Sequence, residues 1–254
     1  MPFLNIWRQI KDMPWFYTEG KRLRKFKNCH HGEDCFIIGN GPSLNKMDLE
    51  LLNGFHTIGM NKIFLIFKRV KLDLSYIVSV NSLVIEQSKQ EFEGLGIPVF
   101  LAKNAAKNVI AKMPHIYRLN TAGGISWPFS TDIHQQIYEG VTVTFIALQL
   151  AYYMGFKRVF LVGVDHNFVQ TGKPHEKQKM KGADPNHFDP DYFSGNEWHL
   201  ADLKGSELSY HLSDYAYNRS GRKIYDATVG GKLDIFDKLN YKDALKMAKR
   251  KSGQ

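Results

Sequence analysis

The residues best suited to chemistry in this sequence gather just past apolar runs. The first set is a turn, Gly39-Asn40-Gly41-Pro42-Ser43-Leu44, that closes the run Cys35-Phe36-Ile37-Ile38. A buried strand, a tight glycine loop and the start of a helix is how α/β proteins hold phosphates. Gly39 and Gly41 would let the backbone approach a ligand, and Ser43 would cap the helix expected over Asn45 to Leu52. Pro42 has no N–H, so the anion donors would be Asn40, Gly41, Ser43 and Leu44. No third glycine completes a G-x-G-x-x-G dinucleotide fingerprint, and an ordinary strand-to-helix turn is the plainer alternative.

Two more asparagines, Asn61 and Asn81, also fall where apolar runs end. Ligands of open α/β sheets bind at that carboxyl edge, so Asn40, Asn61 and Asn81 are expected to converge on one crevice. An amide offers a donor and an acceptor together, which suits a ribose, a phosphate or a base edge. Asn104 and Thr142 hold comparable positions farther along. Asp165, His166 and Asn167 follow the strongly apolar Arg158-to-Gly163 run, and His175, His187 and His199 come after them. A histidine near neutrality can take the proton of an attacking hydroxyl, an effect of roughly 10²- to 10⁴-fold in rate. Lys173, His166, Asn167 and His175 are candidates to offset charge on a leaving phosphate. Asp189-Pro190-Asp191 has the D-x-D spacing that can hold a divalent ion against a diphosphate, although Asp-Pro-Asp equally makes a simple turn.

These residues need a scaffold, and the apolar pattern supplies one. Strands are expected at Phe55 to Met60, Asp73 to Val80, Pro98 to Ala102, His115 to Leu119, Arg158 to Gly163 and Lys223 to Ala227. Helices are expected from Val141 to Met154, ended by Gly155, and from Leu203 to Tyr217. Thr121-Ala122-Gly123-Gly124 reads as a loop, and Val229-Gly230-Gly231-Lys232-Leu233 as a turn. From 167 to 208 the periodic pattern gives way to Gly, Pro, His, Asp and aromatic residues, the mark of a lid or binding loop. Phe188, Tyr192, Phe193 and Trp198 imply that it packs against something. The expected fold class is α/β, a single doubly wound, mostly parallel sheet with a lid-like insertion.

At 254 residues and 43% hydrophobic content, one domain with its own core is expected over 31–240. A basic amphipathic segment, 1–30, would precede it, with Phe3, Ile6, Trp7 and Ile10 at helical spacing, and a basic tail, 241–254, would follow. The net charge of +9 is concentrated in Lys21 to Lys27 and Lys242 to Lys251. Such clusters suit an anionic membrane surface, with a solvated basic face as the plainer reading. Nucleic acid is not expected as a partner, for no motif supports it. Cys29 and Cys35 make no disulfide framework, so a reducing, cytoplasmic setting with peripheral contact at the inner membrane face is expected. Cys29-His30-His31 with Asp34-Cys35 invites a zinc reading, but its spacing matches no common finger. No apolar run approaches the roughly 18 residues that span a bilayer.

The segments Phe36 to Leu44, Met60-Asn61, Asn81-Ser82-Leu83-Val84-Ile85-Glu86-Gln87 and Ala147 through Gly163-Val164-Asp165 resemble the bacterial CMP-sialic-acid-dependent sialyltransferases. They also resemble the wider Rossmann-like group of flagellin-glycosylation motility accessory factors and archaeal 6-hydroxymethyl-dihydropterin pyrophosphokinases. The resemblance implies a Rossmann-like nucleotide pocket in which Asn40, Gly41, Pro42, Ser43, Asn61 and Asn81 hold a CMP moiety. It implies a lid histidine as general base, His199 before His187, with Asp165 nearby and no cofactor or metal required. The partners implied are a nucleotide-sugar donor and a glycan or lipid-linked acceptor; a homo-oligomer is compatible. Under the pyrophosphokinase alternative, Asp165, Asp189 and Asp191 would hold magnesium; a non-catalytic nucleotide-binding protein is the other alternative. The sequence departs from the sialyltransferase pattern where His166-Asn167-Phe168 replaces tyrosines and Tyr138-Glu139-Gly140 replaces an arginine.

Overall fold

The computed structural model describes residues 13–123 and 128–251, so the expected helix carrying Phe3, Ile6, Trp7 and Ile10 lies outside the described residues, as does Gly124. Five strands come first: β1 (Asp34–Ile38), β2 (His56–Met60), β3 (Tyr76–Ser79), β4 (Val99–Ala102) and β5 (Ile116–Leu119). After the short β6 (Thr121–Ala122) and β7 (Ile137–Tyr138), the chain returns to the sheet as β8 (Arg158–Val162) and, later, β11 (Lys223–Asp226) and β12 (Asp237–Lys238). The eight-stranded sheet runs β12-β11-β8-β1-β2-β3-β4-β5, and every pairing in it is parallel. This is a Rossmann-like α/β fold. Strand order reverses at β1, which lies between β8 and β2, and ligands of such sheets bind beside the reversal.

Why these residues form strands is plain in β1 and β8. Asp-Cys-Phe-Ile-Ile is buried along its whole length, as a parallel strand covered on both faces must be. Phe36 and Ile38 face one core layer, while Cys35 and Ile37 face the other. The second layer is built on helix α4 (Val143–Met154), preceded in the chain by α1 (Ser82–Gln87), α2 (Lys89–Gly94) and α3 (Lys103–Ala106). Gly155 ends α4 at φ 94°, and Thr142 caps its start by accepting from Thr144 N–H at 3.3 Å. Two helices follow, α5 (Leu203–Arg219) and α6 (Tyr241–Met247).

Three local expectations differ. The segment after β1 is not an α-helix but two 3₁₀ turns, Pro42–Lys46 and Leu49–Leu52, split by extended backbone at Met47 and Asp48. The break lets Leu44, Leu49 and Leu52 all reach the core. Thr121 and Ala122 are not loop: they pair in parallel with Ile137 and Tyr138. The edge strand β12, two exposed residues without an apolar signal, is an addition.

The 167–208 segment contributes an antiparallel hairpin, β9 (Lys177–Lys179) with β10 (Glu197–His199). As its aromatic content implied, Phe188, Tyr192, Phe193 and Trp198 are buried in the same layer as Phe36 and Ile38. Phe188 N–H donates to the Asn40 carbonyl at 2.9 Å, and the Tyr192 hydroxyl accepts from Lys62 N–H at 3.1 Å. The segment is therefore a packed wall. Among the described residues no helix is long and apolar enough to cross a membrane.

Candidate functional site

A cavity of about 940 Å³ opens at the carboxyl ends of β1, β2, β3, β4 and β8, closed on the far side by the hairpin segment. Asn40, Asn61 and Asn81 all line it, and so do Gly41, Asn104 and Thr142. Asn40 is almost fully buried; its Nδ2 donates to the Met60 carbonyl at 3.0 Å, which fixes the amide orientation and leaves Oδ1 buried with no donor among the described residues. A buried acceptor without a donor costs about 1–3 kcal/mol, so a ligand N–H or O–H there would be strongly favoured. Asn61 sits at φ 49°, its Oδ1 accepting from Ser79 Oγ at 3.0 Å. Asn81 is the N-cap of α1, its Oδ1 accepting from Leu83 N–H at 3.0 Å, so only its Nδ2 remains for a ligand.

The glycine turn works differently from the phosphate cradle expected of it. Gly41 N–H donates to the Gly163 carbonyl at 2.9 Å and Leu44 N–H to the Gly41 carbonyl at 3.2 Å. Ser43 does not cap a helix: its N–H and Oγ donate to the two carboxylate oxygens of Asp165, at 3.1 and 2.6 Å. A Cβ on Gly41 would meet Asp165 Oδ2 at 1.8 Å, and one on Gly39 the Gly163 carbonyl at 2.2 Å. The glycines thus admit the β8 loop, and Asp165 occupies the place foreseen for an anion. Pro42 and Ser43 do not line the cavity; Asp165 does, its carboxyl raised above the usual range by burial and restrained by the two Ser43 bonds. Asp165 is therefore a brace between two loops before it is a base.

His166, Asn167, His175, His187 and His199 line the cavity as well. His166 and His175 adopt left-handed backbone, φ 53° and 67°. Side chains rarely take that conformation, and together with Asn61 they concentrate it on this cavity. His166 Nε2 lies 3.0 Å from Glu207 Oε1, and His175 Nε2 lies 3.3 Å from Asp202 Oδ2. The His199 ring titrates below the ordinary imidazole range because it is partly buried and lies near Lys177 and His175. His187 has the most defined setting. Its ring stacks on Tyr192 with centroids 3.9 Å apart, and Nδ1 lies 2.8 Å from Oδ2 of Asp184, whose side chain is wholly buried. A carboxylate at Nδ1 keeps the proton there and leaves the Nε2 lone pair as the base. Asp184 was not singled out from sequence; its i, i+3 spacing to His187 was the available signal.

Besides Pro42 and Ser43, three more expected residues stay outside. Lys173 is exposed and does not line the cavity; its N–H is bonded to Glu176 Oε2 at 3.1 Å. Asp189 and Asp191 form the simple turn, Asp191 N–H donating to Asp189 Oδ1 at 2.9 Å, and neither lines the cavity. The magnesium set of Asp165, Asp189 and Asp191 is thus not assembled. Glu139, which the sequence marks only as part of the Tyr138-Glu139-Gly140 stretch in place of an arginine, is the other cavity-lining carboxylate among the described residues. Lys62 was missed too. It is buried beside the wall, with Nζ donating at 2.8 Å to both Gln87 Oε1 and the Tyr192 carbonyl.

No curated protein matches the chain. The sialyltransferase CstII from Campylobacter jejuni, solved in complex with a substrate analogue, cytidine-5'-monophosphate, has a similar chain path at 16% identity. The match covers 82% of this chain and 85% of that one at a TM-score of 0.48, a likeness too slight to bear on chemistry. A family model described as 6-hydroxymethylpterin diphosphokinase MptE-like matches residues 5–171, which takes in every strand from β1 to β8 together with Asn40, Asn61, Asn81 and Asp165. The chain belongs to that MptE-like family.

Proposed function

We propose that this protein is a transferase acting on a nucleotide-activated sugar, with a CMP-linked donor and a glycan or lipid-linked hydroxyl as acceptor. The observation that carries this reading is the meeting of three strand-end amides with a carboxylate-backed histidine around one cavity. Asn40 Oδ1, Asn61 and Asn81 Nδ2 would hold the nucleoside. The first turn of α4, capped by the neutral Thr142, borders the same cavity through Thr142 and Val143, and its partial positive charge favours phosphate there. The acceptor hydroxyl would pass its proton to His187 Nε2 as its oxygen bonds the anomeric carbon. The bond from that carbon to the phosphate oxygen would break, and CMP would leave with the electron pair. His199, held neutral by its surroundings, is the second candidate base. No cofactor has a role in this step.

Family membership keeps diphosphoryl transfer from ATP as the second reading. That chemistry uses magnesium, and the donors here fit it poorly: Asp165 is bonded twice by Ser43, and Asp189 and Asp191 lie in a turn outside the cavity. Thermal shift separates the two. CMP or CDP is expected to raise the melting temperature without metal, and ATP to do so less, with or without magnesium. Indifference to cytidine nucleotides alongside a magnesium-dependent rise with ATP would replace the first reading by the second.

A further inference from the structure

A second cluster of ligating side chains lies at the other end of the sheet, outside the cavity. His30 Nδ1 lies 2.7 Å and His56 Nε2 3.1 Å from the same carboxylate oxygen, Oε2 of Glu33. The three ligand atoms all fall within 4.8 Å of one another. His56 opens β2 and pairs with Cys35 of β1, so the site joins the amino ends of two central strands to the loop preceding them. That loop is itself pinned to the end of α4. Asn28 N–H donates to the Tyr153 carbonyl at 2.9 Å, His30 N–H to Met154 at 2.8 Å and Gly32 N–H to Gly155 at 3.0 Å.

We propose that His30, Glu33 and His56 form a binding site for one zinc-class divalent cation. Two imidazole nitrogens and one carboxylate oxygen are the donor set that suits zinc and its borderline neighbours, not magnesium or calcium. Four ligand atoms around zinc at about 2.0–2.1 Å lie roughly 3.3 Å apart. The two hydrogen-bond distances here need to open by only a few tenths of an ångström or so. Without metal, each imidazole is placed to donate an N–H to Glu33. With metal, each shifts its proton to the other ring nitrogen, so both stay neutral and no proton need leave. For His30 that nitrogen is Nε2, 2.6 Å from the Tyr76 hydroxyl, which would then accept and hold the ring in place as an outer partner. The rings are further fixed by packing: His30 stacks on Phe156 with centroids 4.7 Å apart and faces His56 at 4.0 Å.

Side-chain exposures of 14, 28 and 12% for His30, Glu33 and His56 leave one side open for water as the fourth ligand. Lys251 is the charge that opposes a cation here, its field reaching His56. The cluster's distance from the strand-end cavity gives the ion a structural part, tying the loop to β2, and the inference stands independently of the proposed reaction. Cys29, His30, His31, Asp34 and Cys35 invite a zinc reading with a spacing that matches no common finger, and of that set only His30 belongs to the cluster. The partner it needs is His56, on another strand.

The test is titration of the full chain, stripped with a chelator, with zinc chloride. One saturable site and a melting temperature that climbs with zinc are expected. Cobalt(II) in its place should show the visible absorption of a four- or five-coordinate ion. Glu33→Gln and His56→Asn are expected to weaken zinc binding at least tenfold, a lower bound set by the 10–100-fold losses seen even for outer-shell partners, while His175→Ala and His199→Ala in the cavity leave it unchanged. Circular dichroism checks each variant's fold, and the near-isosteric Glu33→Gln serves if His56→Asn does not fold. Absence of saturable uptake by the wild type overturns the proposal. So does binding that survives Glu33→Gln and His56→Asn, or that disappears only with the cavity histidines.

Discussion

His187 and Asp165 show how a partner decides what a titratable residue can do. Asp184 at 2.8 Å from His187 Nδ1 orients that ring, so under the proposed reaction Asp184→Asn should lower kcat for CMP release by about 10²- to 10⁴-fold while leaving KM for the donor nearly unchanged. An equal loss on His199→Ala alone would move the role to His199. Asp165, by contrast, is committed to Ser43, and Gly41 is the residue that makes room for it. Gly41→Ala should destabilise the fold by about 1–3 kcal/mol, with Asp165→Ala in the same chain recovering part of that loss. Chemical denaturation of the two single variants and the double variant gives the coupling; strict additivity would mean the loops do not meet as described. Neither pairing can be read locally. Gly41 and Asp165 are 124 residues apart in number, and a glycine that accommodates a carboxylate looks in sequence like one that accommodates a phosphate.

Elements buried on both faces were the legible ones. Residues 35–38 of β1 and 159–162 of β8 are continuous apolar runs because parallel strands have no wet side, and α4 carries its own stop in Gly155. The turns after β1 were not legible, since Asn45 to Leu52 are good helix formers whose conformation is set by the need to send three leucines into one layer. The long wall was legible as a packed insertion but not in its attachment, which runs through Lys62. Burial pushes the Lys62 ammonium down to about 8 from an ordinary 10.5, against the favourable charges of Glu91 and Asp184. Below pH 8 the group is charged in both folded and unfolded chains, and the folded state bears the full cost of burying it. Between 8 and 10.5 only the unfolded chain still holds the proton, so stability rises with pH across that window. Measured against Lys62→Met, the wild type should gain on the order of 1 kcal/mol per pH unit between pH 8 and 9.5. A difference that stays flat would mean that the ammonium is solvated and that its burial does not set the stability of this attachment.

At the scale of the whole molecule, the basic carboxyl-terminal segment is part of the fold through residue 251. Tyr241, Ala244 and Ala248 are buried in the layer under Phe36, and the Tyr241 hydroxyl donates to the Asp48 carbonyl at 2.8 Å. Lys249 N–H donates to Asp34 Oδ2 at 2.9 Å, beside the paired bonds from Arg158 at 2.9 and 2.6 Å, and Arg158 also reaches the Met247 carbonyl at 2.9 Å. Arg250 lies over the Phe55 ring, 4.7 Å from its centroid, and Lys251 N–H donates to the Gly54 carbonyl. Charge counting could foresee a membrane-facing tail but not this, because the buried acceptor, Asp34, lies 215 positions away from Lys249. A membrane tail and a docked segment respond differently to removal. A tail deleted after Asn240 would leave the melting temperature unchanged and lower only binding to anionic vesicles. A docked segment, once deleted, should drop the melting temperature by many degrees, because it uncovers apolar surface and leaves Asp34 short of a donor. Asp34→Ala should cost about 3 kcal/mol through the same network, the low end for breaking a buried pair because a quarter of the Arg158 side chain already meets solvent. Melting curves of the truncation and of Asp34→Ala, with vesicle flotation beside them, decide between the two, and a fully stable truncation that no longer floats would restore the tail.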